Sequence, residues 1–361
     1  MRSFAERVVA WYALHGRKDL PWQQQPTPYR VWISEVMLQQ TQVETVIPYY
    51  QRFMQSFPDV EALAQATQDQ VLAHWSGLGY YARGRNIHAT AGIVVEQYKG
   101  IFPTDLDQVM ALPGIGRSTA AAILALSAGI PHPILDGNVK RVLARVHCVE
   151  GWPGQSRVAA ELWSLAERYM PQQDVREYTQ AMMDLGAGVC TRRQPACGVC
   201  PLQVDCQSYK SGRQSDFPGT KARKKLAVRS TQMLILCTPA QEVLLELRPP
   251  TGIWGGLWSL PEFDNDEDLV QACQQRLGYS IQLLEHGSVI RHTFSHFHLD
   301  ITPVRAVVED TLTDSVLETD DYVWYNIKQS SPGGMASPVQ RILEQLKEAC
   351  NDTNGAVYKT G

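Results

Sequence analysis

The chain has 361 residues, of which 44% are hydrophobic and 19% are charged, and its formal net charge is −4 at pH 7. This length exceeds one ordinary domain and the hydrophobic content excludes a disordered chain, so two folded domains are expected. No apolar run is long enough to span a bilayer. The N-terminal stretch MRSFAERVVAWYALHG carries an acid and lacks a continuous apolar core, so we expect a cytoplasmic protein without a targeting signal.

The charge is distributed unevenly along the chain. Residues 1–230 carry a net charge of +6, whereas residues 231–361 carry −10. The basic first part predicts polyanion binding there, and the acidic second part predicts few phosphate contacts. Between them, residues 212–229 mix Gly, Pro and Ser with basic residues and show no hydrophobic period, which is typical of a linker.

Helical periodicity dominates the chain before the linker. The segments VWISEVMLQQTQVETVIPYYQRFM, AAILALSAG, VKRVLARVH, ELWSLAERYM and YTQAMMDLGAGVC all carry apolar residues at helical spacing. After the linker come short β-rich runs, which are TQMLILCTP, EVLLELRP, GSVIRHTF, HLDITPVRAVV and DDYVWYNI, with helical patterns at 266–277 and 338–350. We therefore predict a multi-domain protein, with an all-α domain over 1–211, a linker over 212–229, an α+β domain over 230–349 and a tail over 350–361.

The segment ALPGIGRSTAAA predicts a helix, a tight turn and a second helix. Gly114 and Gly116 resemble the start of a dinucleotide fingerprint, but Thr119 replaces its third glycine and the preceding segment has helical spacing. Glycines let the backbone approach a ligand, and the first amides of a helix attract anions. A DNA phosphate held at Gly114, Gly116, Arg117 and Ser118 is one interpretation, and an ordinary helix-to-helix turn is the other.

Four of the eight cysteines lie in one short loop, CTRRQPACGVCPLQVDC, over residues 190–206. Their spacing is C-x6-C-x2-C-x5-C, formed by Cys190, Cys197, Cys200 and Cys206. In a reducing compartment such a group predicts a metal site rather than disulfides. Tetrahedral zinc and an iron–sulfur cluster both remain open from the spacing, although one compact loop favours the cluster.

Several motifs together resemble a known family. LPGIGRSTA, ILDGNVKRV and the cysteine loop resemble the helix-hairpin-helix DNA glycosylases of the endonuclease III type. LPW, SEVMLQQTQV, GLGYYARGRN, QAMMDLGA and FSHFHLD narrow the resemblance to the adenine DNA glycosylases, over nearly the whole chain. The resemblance implies one [4Fe–4S] cluster on the four cysteines. It also implies removal of adenine mispaired with 8-oxoguanine or guanine in duplex DNA, a base-excision repair reaction.

Two carboxyls are candidates for this chemistry. Breaking an N-glycosidic bond needs an acid on the leaving base and an anion near the sugar cation. Glu35 lies among apolar neighbours in VWISEVML, which predicts a raised pKa suited to a general acid, although a carboxylate beside Ser34 at a helix start is the alternative. Asp136, in ILDGNV, suits a helix N-cap. The resemblance makes Asp136 the catalytic aspartate, with Asn138 as its partner.

The residue at position 118 predicts whether the enzyme only removes the base or also cleaves the DNA strand. In the relatives that also cut the DNA strand, a lysine at this position forms a Schiff base with the sugar. Here Ser118 offers a hydroxyl, which cannot form that bond. We therefore expect a monofunctional glycosylase.

Base flipping requires side chains that fill the vacated space. Gln40, in MLQQTQ, and Tyr80, between the glycines and arginines of GLGYYARGR, are predicted to wedge opposite the lesion. Trp22 and Gln180 are predicted to line the adenine pocket. For Tyr80 a place in the core is the alternative.

The second domain resembles a Nudix-like fold in the stretch LELRPPTGIWGGLWSLPEF. The acidic metal-binding helix of Nudix hydrolases is missing from DNDEDLVQACQQRLGY, so pyrophosphate hydrolysis is not expected. The resemblance assigns 8-oxoguanine recognition to Phe294, Ser295 and His296, and ordinary turn residues are the alternative.

Three other functions compete with this interpretation. They are a bifunctional pyrimidine glycosylase and lyase, a Nudix-type nucleotide hydrolase with a DNA-binding appendage, and a cluster-bearing protein that binds DNA without catalysis. Ser118 opposes the first and the missing acidic helix opposes the second, whereas the third requires Glu35 or Asp136 to be idle. We expect a monomer with double-stranded DNA as its partner and no membrane contact.

Overall fold

The protein forms two compact units. The computed structural model describes residues 2–221, 225–238, 240, 242–311, 321–329 and 332–356. The first unit comprises residues 1–65 and 86–223, and the second comprises residues 66–85 and 224–361. The second unit thus takes in a helical segment from the middle of the predicted all-α domain. Three residues of the predicted linker, 222–224, and the last five of the predicted tail, 357–361, lie outside the described residues.

The chain is helical up to the predicted linker, as its periodicity predicts. These helices are α1 (Phe4–His15), α2 (Pro28–Leu38), α3 (Val43–Ser56), α4 (Val60–Gln65), α5 (Gln68–Trp75), α6 (Ala82–Tyr98), α7 (Leu106–Met110), α8 (Arg117–Ala128), α9 (Gly137–His147), α10 (Ser156–Tyr169), α11 (Val175–Asp184) and α12 (Gln207–Lys210). Short 3-10 helices lie at Pro21–Gln23, Cys197–Val199 and Gln214–Asp216, and a π-helical turn spans Leu185–Val189.

The long helical segment predicted over residues 31–54 is broken in the structure. The backbone leaves the helix after Leu38 and re-enters it at Val43. Gln40 lies in this break with a φ of 58°, a left-handed conformation that a helix cannot contain. Residues 39–42 are all polar, and helical apolar spacing resumes at Val43, so the periodicity on the two sides predicted one helix.

The core of the first unit is formed by the apolar faces of these helices. Its largest fully buried side chains are Trp32, Ile33, Met37, Phe53, Leu63, Ile87, Ile123, Leu143, Leu162 and Met182. Three of them lie on α2, and α2 packs against α8. Because α2 is surrounded by packed helices, a polar residue on it is removed from bulk water unless a cavity reaches it.

The β-rich part of the second unit is a mixed sheet that two helices accompany among the described residues. Its strands are β1 (Ala227–Cys237), β2 (Glu242–Leu247), β3 (Trp258–Ser259), β4 (Glu262–Phe263), β5 (Tyr279–His286), β6 (Ile290–Thr293), β7 (Phe297–Thr311) and β8 (Tyr322–Asn326), and its helices are α13 (Leu269–Leu277) and α14 (Ser337–Ala356). The strand order is β3-β2-β1-β7-β5, with β4 on β1, β6 on β7 and β8 on β2. The parallel pair of β1 and β7 forms its centre.

Several elements of the second unit depart from the sequence predictions. Strand β1 begins at Ala227, inside the predicted linker, and the two-residue strands β3 and β4 were not predicted. Strand β5 was not predicted, because YSIQLLEH alternates between faces for only a few residues before its outer half becomes exposed. Helix α14 runs to Ala356 and so includes the first seven residues of the predicted tail, 350–361.

The segment 66–85 packs on the β-rich part of the second unit. The Tyr81 hydroxyl donates to the carbonyl of Met335 at 3.1 Å, and the Arg85 guanidinium donates to the carbonyl of Gly255 at 2.6 Å. A Cβ atom added at Gly334 would lie 3.0 Å from the backbone of Leu72, so α5 approaches this glycine as closely as backbone allows. Helix α5, which precedes Tyr80, therefore packs against the β-rich part of the second unit.

Among the described residues, no helix combines the length and the apolar character that crossing a bilayer requires.

We predict that Gly334→Ala loosens α5. The new methyl group meets the backbone of Leu72, which can move only with its helix, so a loss of about 1–3 kcal/mol is expected. Hydrogen-exchange mass spectrometry should show faster exchange over residues 68–75. The control is Gly92→Ala in α6, where nothing lies within 4 Å of the added Cβ and the helix is expected to be unchanged or firmer. Equal exchange in both variants would contradict the prediction.

Candidate active site and cysteine centre

Glu35 and Asp136 lie on the wall of one cavity in the first unit. The cavity has a volume of about 1320 Å³. Glu35 comes from α2, whose neighbouring residues are buried, and Asp136 is the N-cap residue of α9. The tertiary fold therefore brings two predicted carboxyls from distant parts of the chain to the same cavity.

Asp136 is held in place by its role as a helix cap. Its Oδ1 accepts a hydrogen bond from the backbone N–H of Val139 at 2.7 Å, and its Oδ2 accepts one from Nδ2 of Asn138 at 3.1 Å. Burial raises the pKa of Asp136 above its usual value, and these hydrogen bonds and the charge of Arg141 offset part of that rise. The cap therefore positions the carboxylate and supports its ionised form, as its place before Gly-Asn predicted.

The pKa of Glu35 is also raised, and no hydrogen bond from the described residues lowers it. Burial, and to a smaller extent the negative charge of Asp136, raise the pKa of Glu35 to about 8. At neutral pH this carboxyl therefore retains its proton and can donate it to a molecule in the cavity. The two groups form a pair in which one carboxyl is an acid and the other is held by donors to its charged form.

Other residues predicted to contact the flipped base or the sugar also line this cavity, apart from those that belong to the second unit. Trp22, Gln40, Ser118, Asn138 and Gln180 line it. Trp22 is only 5% exposed and its ring meets Tyr50 edge to face, whereas Gln40 is exposed at the break between α2 and α3. One wall is therefore a rigid aromatic plane and another is a strained polar loop.

Two charged networks of this cavity were not predicted from the sequence. Asp184 accepts hydrogen bonds from Arg17 and Gln180. Arg141 donates to Oδ1 of Asn138 at 2.8 Å and to the carbonyl of Cys190 at 2.7 Å. The proximity of Asp184 to Gln180 follows from their i, i+4 spacing, which was an available signal. The contact of Arg141 with Asn138 likewise follows from their i, i+3 spacing on α9, whereas no local pattern indicates the contacts of Arg141 with Cys190 or of Arg17 with Asp184.

The glycine turn adopts the predicted geometry, but its arginine is engaged within the protein. Gly114 has a φ of 75°, and Gly116 begins α8 without a side chain that caps the first amides. The Arg117 guanidinium pairs with Glu167 at 2.6 Å and stacks over Trp163. The Ser118 hydroxyl accepts from the backbone N–H of Leu135 at 3.0 Å. The turn thus offers free helix amides to an anion, whereas Arg117 would have to exchange Glu167 for a phosphate.

Tyr80 belongs to the second unit and is 50% exposed, so the alternative of a core aromatic is wrong. Its φ is 50°, and it follows Gly77 and Gly79, which have φ values of 92° and 70°. The Arg83 guanidinium lies over its ring, 5.6 Å from the centroid. A strained backbone therefore presents an aromatic ring to solvent, where packing alone would not require it.

Phe294, Ser295 and His296 form the turn of the hairpin between β6 and β7. The backbone N–H of Phe294 donates to the carbonyl of Phe297 at 2.9 Å, which leaves Ser295 and His296 exposed at the tip. The Phe294 ring packs 5.3 Å from Trp254 and 4.7 Å from Phe297. The tip is polar and stands on an aromatic base, an arrangement that suits contact with a planar ligand.

The four cysteines of the loop line one small pocket next to α9. Arg145 is 3% exposed there, and its guanidinium donates to Sγ of Cys190 at 3.4 Å and to the carbonyl of Thr191 at 2.7 Å. Burial raises the pKa of Cys200 to about 11, so its thiolate requires positive charge. Within the described residues, no three His, Cys, Asp or Glu side chains are arranged to hold a single metal ion.

We predict that the free energy of unfolding changes with pH because Glu35 titrates. The folded-state pKa of about 8 exceeds the unfolded value of 4.5, so the folded protein binds the proton more tightly. Stability should therefore fall as the pH rises from about 4.5 to about 8, with a slope of up to ~1.4 kcal/mol per pH unit. Urea titrations at several pH values should show a shallower slope for Glu35→Gln. Glu44→Gln, which removes an exposed carboxylate of the same cavity, should behave as wild type. Identical slopes for all three proteins would exclude this role of Glu35.

Comparisons with known proteins agree with this geometry. Residues 33–168 match the HhH-GPD superfamily of base excision DNA repair proteins, and residues 232–345 match the NUDIX domain. A thermostable thymine-DNA glycosylase structure has 26% identity and a TM-score of 0.51, covering 58% of this chain and 95% of its own. The adenine DNA glycosylase of Buchnera aphidicola subsp. Acyrthosiphon pisum is 38% identical over 96% of this chain and 98% of its own length. The adenine DNA glycosylase of Mus musculus is 34% identical over 82% of this chain and 69% of its own length. The chain, with its helical glycosylase fold and Nudix-like domain, therefore belongs to the adenine DNA glycosylase family.

Proposed function

We propose that the protein hydrolyses the N-glycosidic bond of adenine mispaired with 8-oxoguanine or guanine in double-stranded DNA. The observation that carries the proposal is the pair of carboxyls in one cavity, where Glu35 keeps its proton near neutral pH and Asp136 is held by donors. The family membership supplies adenine as the base.

The two carboxyls divide the reaction between them. Adenine is a poor leaving group until a ring nitrogen is protonated, and Glu35 can supply that proton below about pH 8. Departure of the base leaves positive charge on the sugar, which Asp136 stabilises electrostatically. The Asn138 amide, oriented by Arg141, holds Asp136 during this change.

Ser118 supports a glycosylase without strand cleavage. The residue lines the same cavity and its hydroxyl already accepts a hydrogen bond from the Leu135 amide. A hydroxyl cannot form a Schiff base, so the abasic product should stay intact. This feature opposes the bifunctional lyase.

The remaining candidate residues fit base flipping and lesion recognition. Gln40 and Tyr80 have left-handed backbones and exposed side chains, as expected of wedges that enter a base stack. Trp22 and Gln180 line the cavity that would hold the flipped adenine. Phe294, Ser295 and His296, on their hairpin, would contact 8-oxoguanine.

The Nudix-like domain is proposed to recognise DNA and not to hydrolyse nucleotides. Helix α13 reads LVQACQQRL and carries no Asp or Glu that could hold the metal of a Nudix hydrolase. Together with the charge of −10 on residues 231–361, this favours contact with bases over contact with phosphates.

We further propose that Cys190, Cys197, Cys200 and Cys206 hold one [4Fe–4S] cluster. All four thiols line one pocket beside the buried guanidinium of Arg145, which suits a ligand set of negative charge. Zinc would draw the sulfurs to about 3.8 Å from one another, since each Zn–S bond is about 2.3 Å long. A cluster instead gives each thiolate its own iron. When bound, the cluster would cross-link the loop 190–206.

We also propose that the protein acts as a monomer in the cytoplasm, on DNA bound mainly through the basic part of the chain. The net charge of +6 on residues 1–230 and the uncapped start of α8 support phosphate contacts there.

Asp136→Asn should abolish release of adenine. A duplex with adenine opposite 8-oxoguanine is incubated with the protein, and the adenine strand is then resolved on a gel with and without alkali. We expect cleavage only after alkali for wild type, and a loss of at least about 100-fold in rate for the variant, because the charge that stabilises the sugar cation is gone. Asp105→Asn is the control, since Asp105 likewise caps a helix but does not line the cavity.

Two results of this assay would contradict the proposal. Strand breaks without alkali would show a lyase activity, and bound DNA with no abasic product would leave a protein that only binds.

Cys200→Ser should reduce the iron content of the protein. Iron and acid-labile sulfide are measured on the purified chain, and four of each per chain are expected for wild type from the cluster stoichiometry. The variant should lose iron and lose protection of the loop 190–206 from proteolysis. Cys148→Ser, a cysteine outside the loop, should keep both. One zinc per chain and no sulfide would show that the cluster assignment is wrong.

A further inference from the structure

The loop between β2 and β3, residues 248–257, is closed tightly on itself. The backbone N–H of Gly256 donates to the carbonyl of Arg248 at 3.1 Å. A Cβ atom added at Gly255 would lie 2.8 Å from the carbonyl oxygen of Pro250, so the two sides of the loop are in backbone contact. A loop closed in this way has little freedom to bend, and what packs on one of its sides is held at a fixed distance from what packs on the other.

Trp254, in this loop, supports the hairpin between β6 and β7. Its ring centroid lies 5.3 Å from that of Phe294 and 5.5 Å from that of His292. Trp254 is 7% exposed and has a φ of 53°, a left-handed conformation that is unfavourable for a residue with a large side chain. The surrounding contacts must hold such a backbone in place. The hairpin tip, Ser295 and His296, therefore stands on a ring whose position is closely defined.

The peptide that follows Trp254 is bound to the helix behind Tyr80. The Arg85 guanidinium donates from Nη1 to the carbonyl of Gly255 at 2.6 Å. Arg85 lies on α6, and its backbone N–H donates to the carbonyl of Tyr81 at 3.1 Å. Two successive residues of one loop thus contact the lesion-contacting hairpin and the first turn of the helix that follows Tyr80.

Tyr80 itself is tied to that first turn by Arg83. The backbone N–H of Arg83 donates to the carbonyl of Tyr80 at 2.8 Å, and its Nη2 donates to the carbonyl of Gly79 at 3.1 Å. The guanidinium also lies over the rings of Tyr80 and Trp75, 5.6 and 5.4 Å from their centroids. The exposed Tyr80 ring therefore moves with the start of α6.

A fixed distance between these two features has a consequence for recognition. In the proposed function, on which this inference rests, Tyr80 enters the base stack and the hairpin tip contacts 8-oxoguanine at the same base pair. When one contact has formed, a rigid connection places the other group where it must act, without a further loss of freedom. A misplacement of about 1 Å can cost ~100-fold in rate, so a loosened connection should be measurable.

We propose that Trp254 is a positioning residue for 8-oxoguanine recognition, which couples the Tyr80 wedge to the hairpin tip through the loop 248–257. Its burial keeps its own ring from a base in the stack, so it acts through Phe294 on one side. Arg85 completes the connection on the other side. The preference for 8-oxoguanine over guanine thus depends on a tryptophan that touches neither base.

Three substitutions of tryptophan test this role. Trp254→Leu removes the ring but keeps a Cβ atom, so the left-handed backbone is no more favourable than before. Trp254→Phe keeps an aromatic ring and is the conservative variant. Trp324→Leu is the matched control, because Trp324 is a half-buried tryptophan of the same sheet whose ring packs on Tyr279 of β5.

The first measurement is the single-turnover rate of adenine release opposite 8-oxoguanine and opposite guanine. We expect the ratio of the two rates to fall at least about fivefold in Trp254→Leu, because the hairpin tip and the wedge no longer engage together. Trp254→Phe should keep at least about half of the wild-type ratio, since an aromatic ring still supports Phe294. Trp324→Leu should keep the wild-type ratio. Rates obtained from single-turnover time courses do not depend on the fraction of active protein.

The second measurement is a double-mutant cycle with Tyr80→Leu and Ser295→Ala, followed by adenine release opposite 8-oxoguanine. In the wild-type background the loss caused by Tyr80→Leu should be at least about threefold smaller when Ser295→Ala is also present, because coupled groups are not additive. In the Trp254→Leu background the two losses should multiply to within about twofold, as independent sites do. Arg85→Met, which removes the donor to Gly255, should uncouple them as well and replaces Trp254→Leu if that variant does not fold.

Three outcomes would overturn the inference while adenine release by the wild type upholds the glycosylase. The first is equal slowing opposite both bases in Trp254→Leu with the coupling unchanged, which would show that Trp254 only supports the fold. The second is a cycle that stays coupled in Arg85→Met. The third is a wild-type protein in which Tyr80→Leu or Ser295→Ala has no effect. A wild-type protein that releases no adenine would overturn the proposed function, and the inference with it.

Discussion

The removal of Glu35 from water beside a second carboxyl is the constraint on which the site depends. Burial disfavours the charged form of Glu35, and ionisation would also add a second negative charge near Asp136, so its proton is retained to a pKa of about 8. Asp136 differs because the Val139 amide and Asn138 donate to its charged form. The difference in donors, and not in residue type, gives one carboxyl the role of acid and the other the role of anion.

The cavity depends on side chains far from the base that restrain those near it. Arg141 holds Asn138, and Asn138 holds Asp136. Arg17 holds Asp184, and Asp184 holds Gln180. Each series therefore contains an arginine and an amide, whose two ends differ in hydrogen bonding, so that the orientation of the amide matters. The first series also reaches the carbonyl of Cys190, which ties the position of Asp136 to the cysteine loop.

Much of this arrangement could be predicted from short sequence patterns because the physics behind them is local. The turn at Gly114, the cap at Asp136 and the closeness of four cysteines within seventeen residues depend on neighbours in the chain. The helices before the linker follow from their apolar spacing. Predictions failed at Gln40, where a left-handed residue interrupts the helix, and at residues 350–356, where α14 continues into the predicted tail.

The sequence by itself determined the order of elements, the capping of α9 and the absence of an amine at Ser118, since these depend on residue identity and short spacing. Only the tertiary structure decided that Glu35 shares a cavity with Asp136, that Arg117 pairs with Glu167 and that α5 packs on the β-rich domain. These outcomes depend on burial and on charges brought together from distant segments. A pKa and the orientation of an amide are properties of such surroundings, which no stretch of residues contains alone.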